Sequence, residues 1–197
     1  MKQVLALFDF DGTITRNDSM IKFIRFAAGD FKFLLGFTVL LPVLISYKLK
    51  LMSNHKAKEI VLCYFFKGWS EAKFVKMASE YSLNHIEKIL RPEAVKKINW
   101  HRQNGHKVVV ISASLECWLR PWCEANDLKL IATKFEVKNG LITGRLLSKN
   151  CFGAEKVKRI KENFDLKKFD YIYAYGDSKG DKKMLALANE SFYKTFV

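Results

Sequence analysis

From Gln3 to Phe10 the chain reads QVLALFDF, apolar along most of its length, and breaks at Asp11-Gly12. A continuous apolar run, as opposed to an alternating one, marks a strand covered on both faces, the central position of a parallel sheet. Two further runs have the same character. Lys107 to Ile111 (KVVVI) lies between Asn104-Gly105 and Ser112-Ala113-Ser114, and Tyr171 to Tyr175 (YIYAY) ends at Gly176-Asp177. Weaker strands are predicted at Lys129 to Ala132 and Ser191 to Thr195. Apolar residues at spacings of three and four predict helices over Pro92 to Gln103, Ser114 to Asn126, Gly153 to Asn163 and Lys179 to Ala188. Strand and helix in alternation give an α/β fold, a Rossmann-like parallel sheet flanked by helices. Ligands of such sheets bind beyond the carboxyl ends of the strands, where Asp9, Asp11, Ser112 and Asp177 gather. One segment departs from the scheme. Phe135 to Leu147 places Asn139-Gly140 between alternating residues, which predicts a β-hairpin serving as a flap or an extension of the sheet.

Residues 16–90 show no strand pattern and hold half of the sixteen phenylalanines, all between Phe23 and Phe74. This predicts a helical cap inserted after the first strand, with 1–15 and 91–197 forming the α/β core. Within the insert, Phe33 to Tyr47 is fifteen uncharged residues interrupted by Pro42. That is short of the roughly 20 residues a spanning helix needs. Two expectations follow: a buried cap helix followed by solvated lysines, or a segment lying in a membrane interface. In the second, Lys32, Lys48, Lys50, Lys56 and Lys58 would meet anionic headgroups.

Charge narrows the partners. Lys and Arg number 34 against 20 Asp and Glu, a formal +14 within 197 residues. Such a balance attracts polyanions, phosphorylated substrates or an anionic membrane. The excess is +6 in residues 16–90 and +9 in 91–197, so no separate basic arm exists and a nucleic-acid partner is not expected. Cys63, Cys117, Cys123 and Cys151 form no CxxC pair, and a chain of this size needs no disulfide staples. With no basic region followed by an expendable apolar stretch at the start, the expected location is cytoplasmic, with the inner face of the membrane as the alternative. The sequence assigns no oligomeric state.

Candidate chemistry sits at the strand ends. Asp9 and Asp11, in FDFDGT, place two carboxylates on one face of a buried strand end, a costly arrangement without a cation. Mg²⁺ suits such oxygen ligands, bound through one or two carboxylates together with waters and substrate phosphate. Asp177 and Asp181, in GDSKGD, add two more after a different strand. Ser112, followed by Ser114, ends a third strand, where a hydroxyl and the first amides of the next helix could hold a phosphate oxygen or merely cap that helix. Lys156 lies early in the predicted helix Gly153 to Asn163, after Cys151-Phe152. The tryptophan and cysteine cluster of Trp100, Cys117, Trp118, Trp122 and Cys123 reads as core packing, and His101 and His106 have no metal-ligand companions.

In this order the four pieces, DxDGT, a serine after an apolar run, a lysine and GDxxxD, resemble the haloacid dehalogenase superfamily of phosphohydrolases from Phe8 to Asp181. ISAS, NGLITGRL, NCFGAEK and YGDSKGD, with a helical insert after the first motif, are most similar to its phosphoserine-phosphatase-like subfamily. The resemblance implies the fold of that family and an Mg²⁺-dependent phosphomonoester hydrolase. Asp9 would be the nucleophile forming an aspartyl phosphate, and Asp11 the general acid and base. Mg²⁺ would be held by Asp9, by the backbone carbonyl of Asp11 and by Asp177, with Asp181 in support. Ser112 and Lys156 would contact the phosphoryl group, Gly12 would leave room for the substrate, and Thr13 would steady the loop. Asp11 also argues against carbon–halogen cleavage, because a halide leaves without a proton.

The resemblance leaves the substrate open. Asp18 lies near the place where phosphoserine phosphatases meet the substrate ammonium, and it equally suits a helix N-cap. Ser112-Ala113-Ser114 replaces the glycine pair usual after that serine, and the cap is more apolar than theirs. LLPVL, the following lysines, FFKGWSEA and NCFGAEK are also similar to a bacterial branch that includes phosphatidylglycerophosphate phosphatases. The expected partner is thus a small phosphorylated substrate or a phospholipid headgroup, with peripheral contact to an anionic membrane in the second case. A phosphotransferase on the same aspartyl phosphate, and a membrane-surface or nucleic-acid binding module that merely retains the fold, are the rival readings.

Overall fold

The computed structural model describes residues 3–196. Strand β1 (Val4–Asp9) is the middle of a five-stranded, wholly parallel sheet. The helical insert follows it: α1 (Ser19–Ala28), α2 (Asp30–Val39), α3 (Leu41–Lys48), α4 (Asn54–Phe66) and α5 (Glu71–His85). The chain then runs through α6 (Pro92–Gln103), β2 (Lys107–Leu115), α7 (Glu116–Ala125), β3 (Lys129–Thr133), β4 (Phe135–Lys138), β5 (Leu141–Leu146), α8 (Ala154–Asn163), β6 (Tyr171–Gly176), α9 (Lys182–Leu185) and β7 (Glu190–Tyr193). The sheet order is β3-β2-β1-β6-β7, and Phe8 is registered against Val110 on one side and Tyr175 on the other.

The period of two along β1 divides the interior. Leu5 and Leu7 face one core with Val109, Ile111, Ile160, Ile172 and Met184, under α8 and α9. Ala6 and Phe8 face the other with Val108, Val110, Ile98 and Trp118, under α6 and α7. The helical insert joins this second core. Phe23 stacks on Trp118 with ring centroids 4.7 Å apart and meets Phe74 and Tyr81 edge-on.

Several predicted bounds shift, each for a local reason. Strand β2 continues through Ser112 and Ser114 to Leu115 with a register irregularity, so α7 begins at Glu116 and neither serine caps it. Only Lys182–Leu185 of the predicted last helix is helical, because Ser178 binds Asp181 Oδ2 through its amide (2.9 Å) and hydroxyl (2.6 Å) and holds the preceding residues as a turn. The hairpin β4–β5 forms as expected, yet it does not extend the main sheet. It docks on the insert instead: Gly68 N donates to Ile142 O (2.9 Å) and Ile142 N to Trp69 O (2.8 Å). Trp118 and Trp122 are core residues, but Trp100 is 41% exposed beneath the ammonium of Lys97.

The run from Phe33 to Tyr47 is not one buried helix. It breaks at Leu40 into α2 and α3, bent by 58°, and most of its large apolar side chains face outward. No single helix among the described residues is long and apolar enough to cross a membrane.

Candidate active site

The carboxyl ends of β1, β2 and β6 and the N-terminal turn of α8 converge on Asp9. Its carboxylate, 6% exposed, is ion-paired with Lys156 Nζ and accepts the Thr13 hydroxyl at 3.1 Å. Lys156 is itself buried. Its other two donors reach Asp181 Oδ1 (2.7 Å) and Ile111 O (2.9 Å), so all three ammonium hydrogens are used. Burial disfavours charge on Lys156, but Asp9 and Asp181 together outweigh it and raise its pKa. The same pairing keeps Asp181 low despite burial, with Ser178 assisting. Asp9 behaves differently: burial, supported by Asp181 and Asp11, overcomes Lys156 and lifts it to about 7.

Asp11 lies in the turn after β1 and is held by a separate set of donors. Ser19 N donates to its Oδ1 at 2.6 Å, and Ser114 Oγ donates to its Oδ2 at 2.6 Å. Behind Ser114 runs a chain of donors: Trp118 Nε1 to Ser19 Oγ (3.2 Å), then Ser19 Oγ to Ser114 Oγ (3.1 Å). Ser112 is wholly buried, accepts Ser114 N at 2.9 Å, and reaches Asp11 only at 3.4 Å. Thus Ser114, not Ser112, lines the pocket.

Carboxylate oxygens of Asp9, Asp177 and Asp181 come within 4.8 Å of one another. Burial, then Asp181, raises the pKa of Asp177, as expected for acids crowded without enough positive charge. Gly12 sets the room for this group. Its φ is +87°, and a Cβ there would stand 2.4 Å from Asp177 Oδ2. Three hard oxygen donors in a cradle closed by a glycine fit a cation such as Mg²⁺. Asp11 can join only through its backbone, since its side chain is committed to Ser19 and Ser114.

A pocket of about 300 Å³ opens above Asp9, Asp11, Lys156 and Asp181. Asp18 caps α1 by accepting Ile21 N at 3.0 Å, and it also lines this pocket, where burial and Asp11 raise it to about 6. Asp18 thus serves as the N-cap and also borders the pocket. The opposite wall is apolar, formed by Met20, Ile21, Leu44, Tyr47, Val61 and Phe152.

Lys58 on α4, expected among the lysines that meet solvent or headgroups, is instead buried at the pocket. It is 9% exposed, donates to Ala113 O (2.7 Å) and Asn150 Oδ1 (3.1 Å), and lines the pocket facing Asp18. Burial pushes its pKa down, with Asp18 and Asp11 opposing. A signal for it exists in the sequence. Ala57, Lys58, Val61, Leu62, Phe65 and Phe66 form the buried stripe of α4, and Lys58 is the one charge in it. His101 and His106 are remote from the pocket and bond to one another through Nδ1 atoms 2.8 Å apart.

A parallel sheet here gathers an Asp-x-Asp turn, a buried lysine and a second acidic pair at neighbouring strand ends, an arrangement of the class of α/β enzymes that work at the carboxyl ends of their strands. The sequence matches the haloacid dehalogenase-like hydrolases over residues 6–186, and the chain belongs to that family. It is 35% identical over 198 residues to protein CicA of Caulobacter vibrioides, covering 98% of this chain and 86% of the relative. A probable phosphatase of Mycobacterium tuberculosis is 29% identical over 190 residues, covering 91% and 64%. A phosphoserine phosphatase solved in its apo form superposes with a TM-score of 0.69 at 18% identity, covering 98% and 86%, a likeness of fold. The protein is thus an enzyme of the haloacid dehalogenase-like hydrolase family.

Proposed function

We propose that the protein is an Mg²⁺-dependent phosphomonoesterase working through an aspartyl phosphate on Asp9. The observation that carries this reading is the division of labour between two carboxylates of one turn. Asp9 is fixed between Lys156 and Thr13 at the pocket floor, while Asp11 is held separately by Ser19 and Ser114. In the first step Asp9 attacks phosphorus, the ester P–O bond breaks, and Asp11 gives its proton to the departing alkoxide. In the second, water attacks the phosphoryl group, Asp11 takes back a proton, and phosphate leaves Asp9 free.

Lys156 holds the Asp9 carboxylate in place and sets positive charge beside the oxygens where negative charge accumulates. Asp9, Asp177, Asp181 and the Asp11 carbonyl would hold Mg²⁺, whose chemistry is to screen the phosphate dianion from the nucleophile. Residues 16–90 act as the cap on a core of 1–15 and 91–197, with β4–β5 docked on the cap side. The phosphoryl group of a small phosphorylated substrate then sits over Asp9, and the leaving group lies between Asp18 and Lys58 on one side and Leu44, Tyr47 and Met20 on the other.

That apolar wall favours a second, finer reading, a lipid phosphate such as phosphatidylglycerophosphate, over phosphoserine, whose ammonium would need Asp18. The test is Mg²⁺-dependent phosphate release by the wild type and Asp9→Asn from phosphatidylglycerophosphate, phosphoserine and other soluble monoesters. Turnover of at least one ester, abolished in the variant, is expected. Equal turnover by the variant, or transfer to an added alcohol without hydrolysis, would overturn the phosphatase reading.

A further inference from the structure

An apolar surface lies beside the pocket mouth. Between Asp30 and Met52 only Gly36 and Leu40 are buried, although the segment is one of the most apolar in the chain. Phe31 is 80% and Leu51 79% exposed, and Leu34, Leu35, Leu41 and Leu49 are each more than half exposed. The inner side of α2 is fixed by Gly36, where a Cβ would stand 2.4 Å from the Phe65 ring, so the outward residues are held outward by a close helix contact. A scattered exposed leucine needs no explanation, but a contiguous apolar face on two successive helices marks an interaction surface.

The charge around it selects the partner. From residue 31 to residue 58 the chain contains no carboxylate, while Lys32, Lys48, Lys50 and Lys56 are all exposed. None of these four is ion-paired among the described residues, and the nearest acid upstream, Asp30, is already paired with Arg25 at 2.5 Å. A second copy of the chain seated on this face would bring two sets of unpaired lysines together. A bilayer carrying anionic lipid accepts both features at once, acyl chains for the leucines and headgroups for the ammonium groups. Length agrees with a helix lying along the surface. At 1.5 Å per residue, α2 and α3 are about 15 and 12 Å long, each far short of a hydrocarbon layer of roughly 30 Å, and the 58° bend prevents them from acting as one span.

We propose that the outward face of α2 and α3 docks on an anionic membrane surface. Leu44 and Tyr47 of α3 line the catalytic pocket, so the docked face continues directly into it. This placement does not depend on the phosphatase reading.

The test is flotation of the full chain with phosphatidylcholine vesicles, with and without phosphatidylglycerol, at low and high salt. Turnover of a soluble phosphomonoester and light scattering are followed in parallel. The wild type should float with the anionic vesicles and lose binding as salt rises. The double variants Leu34→Glu/Leu41→Glu and Lys48→Glu/Lys50→Glu should each weaken that binding by about tenfold or more, with circular dichroism and soluble turnover unchanged. All four positions are exposed, so the fold is not at stake. A wild type that fails to float, flotation that survives both variants, or a solution dimer that Leu34→Glu/Leu41→Glu dissolves would each overturn the proposal.

Discussion

Ser114 Oγ donates to Asp11 Oδ2 at 2.6 Å across 103 residues of sequence, and it is the last donor of the chain that starts at the indole of Trp118. Strand β2 delivers this hydroxyl because it runs past Ser112, putting Ser114 over the turn after β1. In the proposed mechanism a donor in that position orients the Asp11 carboxyl toward the leaving group. Ser114→Ala should therefore lower kcat by about 10-fold, part of the 10²–10⁴ typical of general acid–base help, with KM little changed. Steady-state kinetics of the variant, with Ser114→Thr as the conservative rescue, check this. Loss confined to KM would contradict it.

Lys156 is buried between Asp9 and Asp181. Removing one partner of a buried ion pair leaves the others uncompensated, at about 3–5 kcal/mol. Lys156→Met should destabilise the protein by that order in urea unfolding, and Mg²⁺ should recover part of the loss by supplying positive charge to the stranded carboxylates.

Gly12 faces Asp177 at a backbone angle that side chains resist. Gly12→Ala adds roughly 1–2 kcal/mol of backbone strain and a methyl 2.4 Å from Asp177 Oδ2, so Asp177 must move. Weaker Mg²⁺ binding is expected, by about tenfold, or roughly 1.4 kcal/mol. Calorimetric titration of Mg²⁺ reads it. Unaltered affinity would remove Asp177 from the metal site.

The strand ends were legible because chemistry and pattern coincide there. Asp9, Asp11, Asp177 and Asp181 follow apolar runs too continuous to be anything but buried strands, and the structure gathers all four. Lys156 emerged by its place in an ordered set, since one lysine among so many carries no signal of its own. That Ser114 and not Ser112 lines the pocket was not legible, because the strand end depends on backbone pairing with β3, which no local residue announces. Lys58 was hidden by the apolar residues around it, although its place in the buried stripe of α4 is visible in retrospect. The exposure of α2 and α3 was not readable, because hydrophobicity predicts burial equally well against protein or against lipid.

The buried pair of His101 and Tyr175, 3.0 Å apart, gives a pH signature remote from the site. Burial first, then His106 and Lys97, pushes His101 down to about 3. An unfolded histidine takes its proton near 6.5. Between these values the unfolded state binds more protons, so this stability is complete above about pH 6.5 and is lost as pH falls toward 3, by up to about 1.4 kcal/mol per pH unit. Asp9 and Asp18, both raised, act in the opposite sense. The readout is therefore the difference between wild type and His101→Gln in urea unfolding from about pH 7 to 5. The wild type should lose more stability on acidification than the variant, and parallel curves would contradict the assignment.

The most direct measurement of the central claim is peptide mass spectrometry of the wild type acid-quenched during turnover of an ester with Mg²⁺, with Asp9→Asn alongside. A mass gain of one phosphoryl group is expected on the peptide carrying Asp9, and none in Asp9→Asn. A phosphoryl group on another residue, or hydrolysis proceeding in Asp9→Asn with none on the protein, would contradict an aspartyl phosphate at Asp9.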